Sequence, residues 1–275
     1  MYETRFISSR TANFCRFGAK NFRIEFIGSR KSATDGVTPS GAHVQLLNFF
    51  LSALKPSDRA ALTANMSEVA IATTKVLFET GDPVDTLYFP GSACISVVIV
   101  LSDGKTVETA TVGRESVVSL IDAITDQPSR CRVFAQIGGS AMQMAASSFR
   151  GRLAESADLM ALTLRHARAT SLQAEQGVAC NAAHGVHGRL ARWLLMTQDR
   201  VGTDSFPLTQ EYMAVMTGVQ RSTVSNMAGA LKKAGVIDYS RGNLRIVDRK
   251  ALLGHACECY AIVSEQFEIL RPDGS

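Results

Sequence analysis

Hydrophobic residues between Ile71 and Met144 occur in short runs and not at helical spacing. The runs KVLFE, TLYFP, CISVVIVL, VETATV, CRVFAQI and AMQM are rich in β-branched residues. Turn signals separate these runs, among them Gly81-Asp82-Pro83, Pro90-Gly91 and Gly138-Gly139. Short strands at regular intervals predict an antiparallel β-barrel or sandwich, and Asp103-Gly104 predicts a tight hairpin within it.

Helical patterns flank this β-rich segment. The residues from Val44 to Met66 predict two short helices separated at Pro56. From Ser147 a long stretch without proline follows, and its apolar positions are Leu159, Leu162, Leu164, Ala167, Leu172 and Val178. One long helix of this kind predicts a parallel two-stranded seam between identical chains, although it could instead lie along its own domain. Gly185 and Gly188 predict a hinge before the next helix.

Residues 208–233 predict two crossed helices joined at Gly218, which can take the left-handed turn that a residue with a Cβ atom resists. The apolar or small residues at the predicted contact are Met213, Ala214, Thr217, Val219, Val224 and Met227. The opposite face carries polar and basic side chains: Gln220, Arg221, Ser222, Thr223, Ser225, Asn226 and Lys233. A helix in the major groove of a duplex needs such a row near its N-terminus, so these residues are candidates for DNA binding. An ordinary helical hairpin with a solvated polar face is the alternative.

The next residues predict a two-stranded wing, with strands at 236–239 and 244–247 and a turn at Arg241-Gly242-Asn243. Arg241 and Arg245 could contact phosphates there, a contact that positions a domain without selecting a sequence. They could equally be plain surface arginines.

Charge differs between the two halves of the chain. The net charge is +4 overall, but residues 71–150 carry six bases and eight acids, whereas residues 181–250 carry ten bases and five acids. The local excess of bases in the second half favours a polyanionic partner.

These motifs resemble the Crp/Fnr transcription regulators from about Val44 to Tyr260. LFETGDPVDTLYFPGSACISVVIVLSDGKTVETATVG resembles the family's cyclic-nucleotide-binding β-roll, GVHGRLARWLL the start of its C-terminal domain, and LTQEYMAVMTGVQRSTVSNMAGALKKAGVI its helix-turn-helix. The resemblance implies an α+β fold: an N-terminal antiparallel, jelly-roll-like β-roll, a long dimerisation helix and a C-terminal winged helix-turn-helix. It further implies a homodimer on a near-palindromic operator in double-stranded DNA, with RNA polymerase as a further partner.

The chain also departs from the family pattern. Ser222 and Asn226 stand where the recognition helix commonly carries Glu and a second Arg, so the usual operator is not implied. Members that bind cyclic AMP use Gly-Glu and Arg-Ser pairs, whereas this chain has GRESVVSLIDA and QPSRCRVFAQ. Arg130 and Arg132 remain candidates for an anionic ligand, but we expect no ordinary cyclic AMP binding and an unknown small-molecule effector. A sensor module for which DNA binding is secondary is the alternative function.

Catalytic and metal chemistry find little support in the sequence. Residues 71–144 contain no histidine, which excludes a cupin-like metal site, and no nucleophile elbow, P-loop or dinucleotide fingerprint occurs. His184 and His187 have no third obvious ligand. Cys257-Glu258-Cys259 is too tight for ordinary chelation by both thiolates, although a redox role is left open. We therefore predict no enzyme activity, no metal and no cofactor.

Length and composition complete the prediction. The chain has 275 residues, 46% of them hydrophobic, and its apolar runs are too short to span a bilayer. With no secretory signal and no C-x-x-C pair, we expect a cytoplasmic protein with no membrane contact and with reduced thiols. The predicted divisions are a disordered extension (1–42), a β-roll sensor domain (43–150), a long dimerisation helix (151–182), a winged helix-turn-helix domain (183–250) and a C-terminal tail helix (251–275).

Overall fold

The computed structural model describes residues 47–268. The predicted disordered extension and the last part of the predicted tail helix lie outside the described residues. Among residues 47–268, no helix is both long enough and apolar enough to cross a membrane.

Seven strands form the N-terminal domain in two antiparallel sheets. Their bounds are β1 (Ser67–Ile71), β2 (Val76–Phe78), β3 (Thr86–Pro90), β4 (Cys94–Val100), β5 (Thr106–Val112), β6 (Arg132–Ile137) and β7 (Gly139–Ala145). The strand orders are β1-β7-β3 and β2-β6-β4-β5. Leu87 and Phe89 alternate along β3 and are fully buried, as expected for strands with one face on a core. The hairpin between β4 and β5 turns at Gly104, whose φ is +85°. The predicted antiparallel β domain is confirmed.

Four short helices cover this domain: α1 (Phe49–Ser52), α2 (Pro56–Thr63), α3 (Leu120–Ile124) and α4 (Ala146–Glu155). Pro56 begins α2, a position where its missing N–H costs nothing. The rings of Phe50, Phe89 and Phe149 lie 6.1, 6.3 and 6.4 Å apart between centroids. This aromatic cluster fixes the N-terminal and C-terminal helices of the domain on the same part of the β core.

The long helix, α5, spans Ala157–Ala183. It is separate from α4 because Ser156 takes an extended conformation and caps α5 by accepting a hydrogen bond from the Leu159 amide at 3.1 Å. Leu159 and Leu162 are buried against the chain's own domain, whereas Leu164 is 61% and Val178 73% exposed. The helix thus lies along its own domain on one side and leaves an apolar strip on another.

The C-terminal domain begins after the predicted hinge at Gly185. Its elements are α6 (Val186–Val201), β8 (Ser205–Pro207), α7 (Gln210–Thr217), α8 (Arg221–Lys233), β9 (Ile237–Ser240), β10 (Asn243–Ile246), α9 (Arg249–His255) and α10 (Cys259–Glu268). The sheet order is β8-β10-β9. Strand β8 has no counterpart in the sequence-based prediction, and the predicted tail helix is two helices in the structure. The winged helix-turn-helix architecture itself is confirmed.

Candidate nucleic-acid interface

The turn between α7 and α8 is built around Gly218, which has φ +67° and closes α7 in the left-handed conformation. Met213 of α7 and Val224 of α8 are fully buried where the two helices meet. From α6, the Arg189 guanidinium donates a hydrogen bond to the Thr217 carbonyl at the end of α7. The inner face of α8 is therefore buried against α7, and α7 is in turn joined to α6 at its end.

The outer face of α8 is open to solvent. Every residue of the predicted DNA-binding set on this helix is exposed except Ser225, which is half-buried: Gln220, Arg221, Ser222, Thr223, Asn226 and Lys233. The Ser225 hydroxyl lies 2.7 Å from Gln210 Oε1 and 2.9 Å from the Arg221 carbonyl, so it joins α8 to α7 as well as lining the surface.

The basic residues of α8 lie at its two ends. Arg221 opens the helix and Lys233 ends it, twelve residues later, so about 18 Å of helix axis lies between them. Gln220 caps the N-terminus without a side-chain hydrogen bond, which leaves the first amides of α8 for other partners. This end, with partial positive charge and a basic side chain, suits the floor and phosphates of a groove.

The wing presents two further bases. Ser240 pairs with Asn243, so Arg241 and Gly242 form a two-residue turn with φ +49° and +81°, a type I′ hairpin. Arg241 and Arg245 are exposed. Leu244, which precedes Arg245 on β10, is buried. The alternation along β10 therefore places Arg245 on the solvent side of the wing.

A second set of polar contacts, between the β-roll and the C-terminal domain, has no counterpart in the sequence-based prediction. Trp193 of α6 donates from Nε1 to Glu108 Oε1 at 3.0 Å. Tyr212 of α7 lies with its hydroxyl 3.4 Å from Ser96 Oγ, which itself donates to Glu108 Oε2 at 2.8 Å. Burial raises the pKa of Glu108 to about 7, and the hydrogen bonds from Ser96 and Trp193 act in the opposite direction.

One of these contacts is a buried ion pair. Arg200 Nε lies 2.9 Å from Glu115 Oε1, with side-chain exposures of 4% and 9%. Arg200 also donates to Gln173 Oε1 of α5 at 2.8 Å and to the Met196 carbonyl at 3.1 Å. Gly113 allows this approach, because a Cβ atom there would lie 2.3 Å from the Arg200 Cβ. One arginine thus joins the β-roll, the long helix and α6.

The two candidate ligand residues of the β-roll have different surroundings. Arg130 is exposed, and Arg132 pairs with Glu79 at 3.5 Å while its guanidinium lies 5.9 Å from the centroid of the Phe134 ring. Their ligand-binding role stays a prediction.

A buried histidine fills part of the space between the β-roll and α5. His166 of α5 lies with Nε2 2.7 Å from Ser116 Oγ and accepts from the Val117 amide at 3.2 Å. Burial lowers the pKa of His166 to about 4, so the ring is neutral at physiological pH.

Four residues with metal-binding side chains come together where the end of α5 meets the segment between α9 and α10. They are Cys180, His184, Cys257 and Cys259. Sequence reasoning weighed His184 with His187 and Cys257 with Cys259, and it missed the set because Cys180 and Cys257 are far apart in the chain. No local spacing signals such a cluster.

Two family models match the chain. The Crp-like helix-turn-helix domain matches residues 188–254, and the cyclic nucleotide-binding domain matches residues 68–156. No curated protein matches the chain in sequence.

Solved structures share its fold. A transcriptional regulator of the CRP family from Thermus thermophilus is 20% identical, covers 70% of this chain and 99% of its own, and gives a TM-score of 0.58. FixK2 from Bradyrhizobium japonicum is 15% identical over 70% of this chain and 98% of its own, with a TM-score of 0.57. The c-di-GMP-responsive regulator CLP from Xanthomonas campestris is 14% identical over 70% and 99%, with a TM-score of 0.57.

The two domain matches agree with the elements described above: the cyclic nucleotide-binding match covers the strands of the β-roll and α4, the helix-turn-helix match covers most of α6 through to α9, and the long helix α5 lies between them. Two of these proteins are described as regulators, the Thermus thermophilus protein as a transcriptional regulator and CLP as a global regulator. The chain belongs to the Crp/Fnr family of transcription regulators, with a cyclic-nucleotide-binding-type β-roll and a DNA-binding helix-turn-helix domain.

Proposed function

We propose that this regulator binds a near-palindromic DNA site as a homodimer, with α8 of each chain in the major groove. The observation that carries the proposal is the contrast between the two faces of α8: Val224 and Met227 are buried, whereas Arg221, Ser222 and Asn226 are exposed. A helix can enter a groove only if its outward side chains are free while its inward side chains hold it in place.

The roles within this surface follow from chemistry. Arg221 can donate two hydrogen bonds to guanine, Asn226 can pair with adenine, and the small Ser222 lets the backbone approach base edges. Lys233, Arg241 and Arg245 lie at the far end of α8 and on the wing, where they would contact phosphates and set the register.

The dimer part of the proposal rests on α5. A strip with alternating spacings of four and three residues runs along this helix, the spacing of a two-stranded coiled coil. Its members are Met160, Leu164, Ala167, Ser171, Ala174 and Val178. All of them are exposed except Ala167, which is half-buried. A second copy of α5 packed in parallel would cover this strip and relate the two α8 helices by a two-fold axis.

The β-roll would then sense a small molecule other than cyclic AMP. Glu115, the carboxylate of the stretch that would hold a ribose in relatives that bind cyclic AMP, is already engaged by Arg200. RNA polymerase as a partner remains a prediction from the family resemblance, and a cytoplasmic location remains a prediction from the sequence.

The test is fluorescence anisotropy of full-length protein with a labelled pool of random duplexes. Three phosphate-contacting bases per chain, and therefore six per dimer, predict roughly a 1,000-fold loss of affinity between about 50 and about 200 mM salt. Replacing Lys233, Arg241 or Arg245 by Ala lowers that salt slope, whereas Lys75→Ala, which removes an exposed charge from the β-roll, leaves it unchanged. No binding, or binding that is indifferent to salt, would favour a sensor without a DNA-binding role.

A further inference from the structure

A cluster of three cysteines and one histidine joins the long helix to the C-terminal helices. Cys180 lies in the last turn of α5 and His184 caps the end of that helix. Cys257 lies between α9 and α10, and Cys259 begins α10. The four ligand atoms all lie within 4.8 Å of one another.

The distances inside this cluster match a tetrahedral metal site. Cys180 Sγ lies 3.5 Å from Cys257 Sγ, and Cys259 Sγ lies 3.3 Å from His184 Nδ1. Bond lengths of about 2.3 Å for Zn–S and about 2.0 Å for Zn–N place the ligand atoms of a tetrahedral zinc roughly 3.5 to 3.8 Å apart. A small closure of the side chains would therefore complete the site without movement of the helices.

Hydrogen bonds from neighbouring side chains orient these ligands, as is usual around metal sites. His184 Nε2 lies 3.0 Å from Glu258 Oε1, and a carboxylate at that atom fixes the proton on Nε2 and leaves the Nδ1 lone pair directed at the thiols. Gln176 donates from Nε2 to Cys259 Sγ at 3.0 Å, a contact that stabilises a thiolate. Glu258, the residue between the two cysteines, thus orients the imidazole of His184.

Charge and burial are consistent with a closed site. Cys180 and Cys259 are fully buried, and Cys257 and His184 are half-buried. Three thiolates with one divalent ion leave a single negative charge. The guanidinium of Arg192 lies near enough to Cys180 to act on it electrostatically, and its positive charge would offset the remaining negative charge of the site.

The tight spacing of Cys257 and Cys259 does not prevent joint ligation in this fold. The chain enters α10 between these two residues, and the Tyr260 amide donates to the Cys257 carbonyl at 3.1 Å. This turn directs both sulfur atoms toward Cys180 and His184 from one side, while α5 supplies the other two ligands.

We propose that Cys180, His184, Cys257 and Cys259 bind one zinc ion in a closed tetrahedral site. The ion would fasten α9 and α10 to the end of α5 across Gly185, the junction between the long helix and the DNA-binding domain. Any effect of metal on operator affinity rests on the function proposed above, but the metal site itself does not.

The experiment uses full-length protein purified under reducing, anaerobic conditions. We expect one zinc per chain by elemental analysis, and after exchange with Co²⁺ the intense d–d bands of a tetrahedral ion together with thiolate charge transfer. Cys259→Ser loses the tetrahedral spectrum and most of the zinc. Cys131→Ser, which changes a half-buried thiol outside the cluster, keeps both.

Two further variants keep the test decisive if a serine variant fails to fold. His184→Cys retains four ligands and increases the charge-transfer intensity, because a fourth thiolate replaces the imidazole. Glu258→Gln retains all four ligands and weakens zinc binding by about 10- to 100-fold.

Several results would overturn the site. One is a reduced protein that takes up neither Zn²⁺ nor Co²⁺; another is a Cys180–Cys257 disulfide in protein that binds no metal after reduction. Equal loss of metal in Cys131→Ser and Cys259→Ser would also contradict it. Metal is scored without DNA, so a chain that binds zinc and no duplex would preserve this site while refuting the proposed function.

Discussion

The ion pair between Arg200 and Glu115 offers a quantitative test of how the two domains are held together. We consider Glu115→Gln, which removes the negative charge but keeps the shape and one acceptor. Arg200 then remains buried with uncharged acceptors alone: the amide oxygen of the new side chain, Gln173 Oε1 and the Met196 carbonyl. Breaking a buried pair from one side typically costs about 3–5 kcal/mol, and the retained acceptor favours the lower end, about 3 kcal/mol.

The reverse substitution, Arg200→Met, leaves the Glu115 carboxylate with the hydrogen bond that its Oε1 accepts from the Gly113 amide at 3.1 Å, and it should cost a similar amount. The double variant buries no unpaired charge. The double variant should therefore lose at least about 2 kcal/mol less stability than the sum of the two single losses. Residues in direct contact show coupling energies on this scale. For a chain of this size each single variant should melt roughly 6–12 °C lower.

Denaturant unfolding measured by tryptophan fluorescence suits this cycle. Trp193 is the only tryptophan of the chain and lies at the same contact between domains, 3.0 Å from Glu108 Oε1. Single losses within about 0.5 kcal/mol of zero, or a double variant whose loss equals the two single losses combined, would refute the reasoning. Either result would mean that the pair does not join the domains energetically.

Three further predictions address the turn, the buried carboxyl and the seam. Gly218→Ala should lower the free energy of unfolding by about 1 kcal/mol because of its φ of +67°, whereas Gly229→Ala, inside α8 with open space around it, should raise it by about 0.5–1 kcal/mol; denaturant unfolding measures both. The pKa of Glu108 is raised from 4.5 to about 7, so its folded state holds a proton that the unfolded state has lost. Stability should then fall by at most about 3 kcal/mol as pH rises from about 4.5 to 7, and Glu108→Gln should lack this component when both proteins are melted across that window. Leu164→Asp should give a monomer in light scattering, whereas Leu253→Asp, at an exposed leucine of α9, should remain a dimer.

Local patterns account for the parts of the fold that the sequence predicts. Alternation in TLYFP places Leu87 and Phe89 in the core, and glycine at position 218 marks a left-handed turn. The polar face of α8 follows from helical spacing alone, so its exposure could be anticipated. Where the periodicity of a single helix or strand decides whether a side chain is buried, the sequence is sufficient to predict that burial.

Contacts between distant segments account for what the sequence does not predict. Trp193 and Glu108 are 85 residues apart, and Cys180 and Cys257 are 77 apart, so no periodicity relates them. The break at Ser156 depends on a cap and an extended backbone in a stretch that is helical in composition. Strand β8 is only three residues long, too short for a pattern to indicate.

Selection of duplexes from a random pool by the full-length protein tests the central claim most directly. We expect enrichment of an inverted repeat whose half-sites lie about one helical turn, roughly 10 base pairs, apart. Arg221→Ala should lose discrimination at one position in each half-site, by about 1–3 kcal/mol, while preferences at the other positions persist. Enrichment of no sequence, or an unchanged preference in Arg221→Ala, would contradict the role of α8 as the helix that recognises the operator.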